Sequence, residues 1–190
     1  MTCARRLLTA SLAVALSMEM AAGAQPAVSC PPDTRLAVEP LDDGGWQSCV
    51  RAADGRPHGP TLASYTGGRK RIQGQYRDGA PVGHWLGWHR NGGAAGEADF
   101  QAGQLHRLVG WDERGTLVFD LDLKAGRLAE FDGRGRRRLL VENMNGVPTK
   151  KHWDETGALI SDESDRPESM AAPEFVQMML VIAGLVGPLG

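Results

Sequence analysis

The chain has 190 residues, of which 21 are basic and 23 acidic, so its formal net charge is −2 with neutral histidines. Such a chain lacks the excess of positive charge that coats nucleic acid, and we expect no nucleic-acid partner. The length fits one modest domain, and the 25 glycines predict many turns rather than long helices.

Residues 1–24 have the order of features found in an export signal. Arg5 and Arg6 supply positive charge, residues 7–16 form an apolar core, and the small residues 22–24 provide a cleavage site. We therefore expect a mature chain without this segment, located outside the cytoplasm: in the periplasm, in the cell envelope or secreted.

The mature chain keeps two cysteines, Cys30 and Cys49. In an oxidising compartment an isolated pair most simply forms a disulfide, and no Cys/His cluster accompanies it to indicate a metal site. Residues 25–55 are interrupted by Pro31-Pro32 and Gly44-Gly45, which mark turns. We predict an N-terminal cap that contains the disulfide and covers the first edge of the segment that follows.

Residues 56–160 contain a repeat. Trp88 and Trp111 are 23 residues apart, as are Gly103 and Gly126. This period is too short for two helices and suits two strands with two turns. Because a lone hairpin is marginal in water, the units must stack and share a buried stripe. The predicted fold is all-β: an elongated antiparallel sheet or β-solenoid of about five stacked hairpin repeats.

The period also predicts which turns the glycines form and where the aromatic residues lie. Gly79, Gly103, Gly126 and Gly146 are expected to take one turn class, and Gly68, Gly92, Gly115 and Gly157 the other. Most of the aromatic residues are expected to join aliphatic ones in the buried stripe; the aromatic residues are Tyr65, Tyr76, Trp85, Trp88, Phe100, Trp111, Phe131 and Trp153.

The stretches GQYRDGAPVGHW, GWHRNG, ADFQAG and GWDERG resemble the bacterial variant of the MORN repeat, over roughly Arg56 to Leu159. Many such proteins are labelled antitoxin components of toxin–antitoxin systems. The chain departs from the pattern at two places. Arg107 stands where a glycine is expected after His106, and the arginines of residues 134–138 interrupt the pattern of the fourth unit. The resemblance implies a hairpin-repeat fold used for binding, and it supplies no catalytic residue.

Signatures of catalysis and metal binding are absent from the sequence. There is no nucleophile-elbow, zinc-protease or phosphate-loop motif. The five histidines are scattered and lack cysteine or acidic partners at ligand spacing. The acidic residues from Asp120 to Asp132 alternate with apolar ones, as in a half-buried strand. We predict a protein that is not an enzyme and has no cofactor.

The candidate binding residues are aromatic or basic. Trp85 and Trp88 are three apart, so on a regular strand they face opposite ways, and we expect one of the two to be an exposed anchor. Residues 134–138 form a dense basic patch, either a solvated hairpin tip or a site for an acidic partner. The predicted binding residues are Tyr76, Trp85, Trp88, Trp111, Arg134, Arg136, Arg137 and Arg138.

The repeats are followed by an acidic linker, residues 161–173, and an apolar tail, residues 174–190. We expect the tail to form a short C-terminal helix that docks on the sheet, or to contact a membrane or a partner helix. The predicted function is an exported, non-catalytic module for protein–protein binding, a scaffold or antitoxin-like partner of an unidentified protein. The alternative is an envelope-associated structural protein held at a membrane by this tail.

Overall fold

The computed structural model describes residues 28–144 and 147–162, which form a single antiparallel sheet. Its strands in chain order are β1 Thr34–Leu41, β2 Gly44–Arg51, β3 Pro57–Tyr65, β4 Lys70–Arg77, β5 Ala80–Trp88, β6 Ala94–Gln101, β7 Gln104–Trp111, β8 Leu117–Asp122, β9 Arg127–Phe131, β10 Arg137–Met144, β11 Val147–Trp153 and β12 Leu159–Asp162. Each strand pairs with its neighbours in sequence. The all-β prediction and the elongated sheet of hairpins are confirmed.

Several predicted segments lie outside the described residues. These are the export signal 1–24, nearly all of the acidic linker 161–173, and the apolar tail 174–190 with its helix. Within the described ranges the chain forms no helix, and hence none that is long and apolar enough to cross a membrane.

The lead-in, residues 25–55, contributes the first hairpin of the same sheet. β1 pairs with β2 along its whole length, and β2 pairs with β3. The Sγ atoms of Cys30 and Cys49 lie 2.01 Å apart, so the predicted disulfide joins the segment before β1 to β2. Cys49 is 1% exposed, which places the bridge against the sheet.

At one end of the strands, consecutive strands are joined by tight turns, and we call this end of the sheet the turn edge. Asp78-Gly79 and Ala102-Gly103 are two-residue turns in which all four φ angles are positive, between 51° and 85°, as a type I′ hairpin requires. The next turn is longer, residues 123–126. The predicted turn at Gly146 falls outside the described residues.

One face of the sheet, the core face, carries the hydrophobic core. Its buried members are Trp46, Ala63, Ile72, Trp85, Ala98, Phe100, Leu108, Phe119, Leu121, Leu128 and Val141. Direct cross-strand pairing places Ala98, Leu108 and Leu121 in one row. The shared stripe therefore exists, but aliphatic side chains supply most of it from β6 onward.

Two aromatic rings of the core face lie across a glycine on the neighbouring strand. A Cβ atom at Gly74 would sit 2.1 Å from the Trp85 ring, and one at Gly110 would sit 2.2 Å from the Phe119 ring. No second layer covers this sheet within the described residues. The rings therefore cover neighbouring backbone themselves, which explains how Trp85 is only 1% exposed.

The opposite, polar face carries a row of alternating charges. Cross-strand pairing aligns His84, Asp99, Arg107, Asp122 and Arg127. His84 Nδ1 lies 2.8 Å from the Asp99 carboxylate. Opposite charges facing each other across strands stabilise the pairing. The pattern expected for the acidic residues holds in β8, where Asp120 and Asp122 lie on the polar face, and is wrong in β9, where Glu130 pairs with the core residue Phe119.

Candidate binding surface at the loop edge

At the opposite end of the strands, five loops of one geometry connect consecutive strands. We call this end of the sheet the loop edge. They comprise residues 65–69, 89–93, 112–116, 132–136 and 154–158. In each loop the first N–H donates to the fifth carbonyl, and the fourth residue, a glycine, donates to the first carbonyl. These glycines all have positive φ. The second turn class is confirmed, and it also includes Gly135, which the sequence analysis did not assign.

A carboxylate holds each of the last three loops. Asp112, Asp132 and Asp154 stand first, and one oxygen of each accepts the N–H groups of the third and fifth residues. The Arg114 side chain and these N–H groups lower the pKa of Asp112 to about 2. The Arg136 N–H is the main cause that lowers the pKa of Asp132 to about 2. Hydrogen bonds to the charged form have this effect.

Each of the first three loops is bonded to the next through a side chain and a backbone carbonyl. The Tyr65 hydroxyl donates to the Trp88 carbonyl at 2.9 Å, and His89 Nε2 donates to the Trp111 carbonyl at 2.8 Å. A second set reaches the second carbonyl of the following loop: Arg69 to Arg90, Asn91 to Glu113, and Arg114 to Gly133. These bonds fix the spacing of neighbouring loops.

An aromatic residue precedes each of the last four loops: Trp88, Trp111, Phe131 and Trp153. All four stand at the same register position, since each pairs with the residue six places later. Trp88 is two residues beyond Leu86, which pairs with Gln73 and Glu97 on the polar face. The four half-buried side chains therefore share that face, on every second strand. We call them the aromatic row.

Cations lie beside the aromatic row. The Lys70 ammonium is 5.6 Å from the centre of the Trp88 ring, and the Arg137 guanidinium is 5.6 Å from the Trp153 ring. Arg134 projects from the loop between them. Within the described part of the chain none of these three has a carboxylate partner. Positive charge is therefore available along the row.

The predicted binding residues divide between the two faces. Trp88 and Trp111 belong to the aromatic row, as does the nearby Arg137. Of the pair for which one exposed anchor was expected, Trp85 is the buried member, because its ring packs against Gly74 on the core face. Tyr76 lies on that face too, edge-on to Trp85 with ring centres 5.1 Å apart, and burial raises its pKa.

The arginine patch also separates into different roles. Arg136 forms an ion pair with Asp132 at 2.8 Å. Arg138 is the extra residue of a β-bulge in β10, and its Nη1 is buried without a hydrogen-bond partner. Of these arginines, Arg134 and Arg137 lie at the loop edge, exposed and without a carboxylate partner among the described residues.

Tyr65 does not join the buried stripe either. It is the first residue of its loop, equivalent to His89 rather than to Trp88. The guanidinium groups of Arg71 and Arg90 lie 5.5 and 4.7 Å from its ring centre, and both pair with Asp43. This cluster joins the β1–β2 turn to the first two loops.

Phe131, Trp153 and Lys70 complete the surface but were not predicted as binding residues. The two aromatic residues were expected in the core, and they are absent from the buried cluster. The six-residue pairing around each loop would have identified them, but it depends on knowing where each loop begins.

The sheet has a groove on each face within the described residues. On the polar face a groove of about 590 Å³ is lined by Lys70, Gln73, His84 and Leu86 among others. On the core face one of about 310 Å³ is lined by residues that include Trp46 and Tyr76. Within the described ranges no three His, Cys, Asp or Glu side chains are grouped so that they could hold a metal ion.

No protein-family model matches the chain, and no curated protein matches it. Among solved structures, the crystal structure of a GtfA/B complex bound to UDP and GlcNAc is similar at 12% identity and a TM-score of 0.26. That similarity covers 83% of this chain and 28% of the other, so the chain spans less than a third of that protein's length.

Proposed function

We propose that the protein is an exported, non-catalytic binding module whose loop edge captures a protein partner through the aromatic row. Bacterial MORN-variant proteins, which the repeat resembles, use such hairpin arrays for binding. The disulfide between Cys30 and Cys49 supports an extracytoplasmic location, since disulfides persist in oxidising compartments. The antitoxin role that the family label suggests is the less fitting form, because an antitoxin meets its toxin inside the cell.

The aromatic row is the observation that carries this proposal. A packing role alone would favour complete burial of these rings, as occurs for Trp85 on the core face. Instead the four row side chains remain half-buried at one edge, with the cations Lys70 and Arg137 over two of them. Aromatic residues and arginine are the residue types that dominate binding energy at protein interfaces.

Site-specific photocrosslinking in the native envelope fraction tests the proposal. A benzophenone amino acid is incorporated in place of Phe131 in the row, and separately in place of Val38, which is 62% exposed on β1. We expect a discrete crosslinked protein from position 131 only, and its loss when Trp88→Ala and Trp111→Ala are added. Identical products from both positions, or products that survive the added changes, would refute the assignment.

A further inference from the structure

The spacing of the aromatic row sets a requirement on the ligand. The rings stand on β5, β7, β9 and β11, with one strand between each pair. Neighbouring strands are about 4.8 Å apart, so successive rings are about 9.6 Å apart along the row. A linear partner that contacts all four rings must present a contacting group at each interval of this length.

Among polypeptide conformations, polyproline II matches this distance best. Its turn of three residues rises about 9.3 Å, so the mismatch reaches only about 1 Å over the three steps of the row. In a β-strand, side chains on one face recur every ~6.7 Å and miss the second ring. In an α-helix, seven residues rise about 10.5 Å and drift almost 3 Å from the row over three steps.

The row also offers hydrogen-bond donors. The indole N–H groups of Trp88, Trp111 and Trp153 have no acceptor among the described residues. Those of the buried Trp46 and Trp85 do, at Ser48 Oγ and at the Val82 carbonyl. Indole donates and does not accept, and a polyproline II segment has backbone carbonyls that make no internal hydrogen bonds. Aromatic-lined surfaces are known to recognise such preformed segments.

We propose that the loop edge binds a proline-rich polypeptide in the polyproline II conformation. The segment crosses β5 to β11, places every third residue on a ring of the row, and carries acidic residues near Lys70 and Arg137. This inference rests on the proposed function, because it names the class of partner for the same surface. We place acidic residues at the ends of the bound segment because Lys70 and Arg137 lack a carboxylate partner within the described residues.

Calorimetric titration of the full chain with synthetic peptides tests the inference. The first peptide has proline at every third position over about ten residues, enough to span the row, with aspartates at both ends. The second has the same length and composition, with its prolines moved off the three-residue period. A soluble β-1,4-linked N-acetylglucosamine oligomer forms the third arm. Trp111→Ala is the test variant and Val38→Ala the control.

We expect the first peptide to bind at least about tenfold more tightly than the second, a difference of about 1.4 kcal/mol. Trp111→Ala should lose at least about tenfold in affinity for it, and Val38→Ala should lose none. Equal affinities for both peptides, or row-dependent binding of the sugar oligomer alone, would overturn the inference. If the peptides fail while crosslinking at position 131 still depends on the row, the proposed function stands and only the class of partner is wrong.

Discussion

The packing of Trp85 over Gly74 gives a sharp prediction about stability. In Gly74→Ala the new methyl group would meet three atoms of the Trp85 indole at 2.1, 2.4 and 2.5 Å. Real Cβ contacts are never this short, so the ring must move. Trp85 is 1% exposed and already packs edge-on against two other rings.

The magnitude follows from two contributions. Overpacking of a well-packed site costs about 1–3 kcal/mol. Moving Trp85 also disturbs its edge-on contacts with Tyr76 and Phe100, at 5.1 and 5.8 Å between ring centres, which are worth about 0.5–1.5 kcal/mol each. We expect Gly74→Ala to lower the free energy of unfolding by about 3 kcal/mol, which corresponds to a Tm about 10 °C lower.

Urea denaturation followed by tryptophan fluorescence measures this change. Gly45→Ala is the matched control, because Gly45 also lies in a strand but its added Cβ would meet only the Glu39 carbonyl oxygen, at 3.8 Å. The control should stay within about 0.5 kcal/mol of the wild type. If Gly74→Ala is equally mild, or if Gly45→Ala is as damaging, the proposed packing of the ring over glycine is refuted.

Three further predictions concern the loops and the disulfide. The folded pKa values of Asp112 and Asp132 are lowered from 3.8 to about 2; their stabilisation is complete above about pH 4 and is lost as the pH falls through about 2. Asp132→Asn should therefore flatten the decline of Tm between these values in an acid series. Tyr65→Phe removes the bond to the Trp88 carbonyl and should lower the free energy of unfolding by about 1 kcal/mol in urea. Reducing Cys30–Cys49, which are 19 residues apart, should lower it by about 3 kcal/mol, and a Cys30→Ser variant should show no response to the reductant.

The glycine spacing was sufficient to predict the sheet, because positive φ at the glycines fixes where the hairpins turn. The three-residue offset of Trp85 and Trp88 also placed them on opposite faces. The offset did not show which of the two is buried. Burial of Trp85 depends on Gly74, and Gly74 lies beside Trp85 only because of the register between β4 and β5. The sequence around Trp85 does not indicate that its neighbour on the next strand lacks a side chain.

The bulges explain why the arginine patch could not be divided from the sequence. Each strand that leaves a loop carries one extra residue in its pairing, namely Arg71, Ala95, Val118, Arg138 and Ile160. The extra residue recurs with the repeat, so it does not disturb the period from which the units were read. It does decide which arginine of residues 134–138 faces the row and which is turned inward. Tyr65 matched Trp88 by spacing but takes the position of His89 for another reason: the unit from loop residue 65 to loop residue 89 is 24 residues long, one more than the unit from 89 to 112.

The unequal lengths of the units indicate which side of the sheet is held constant. Trp88 to Trp111 is 23 residues, but Trp111 to Phe131 is only 20. The shortening falls in β8 and β9, which have six and five residues, while the turn between them lengthens to residues 123–126. The loops on the other side keep five residues and the same two hydrogen bonds throughout. If the loops served only to connect strands, length changes should occur there as readily as at the turn edge, since surface connections tolerate them. Their confinement to the strands and the turn edge is what a ligand spanning several rings would require, because one altered loop would displace its ring from the row.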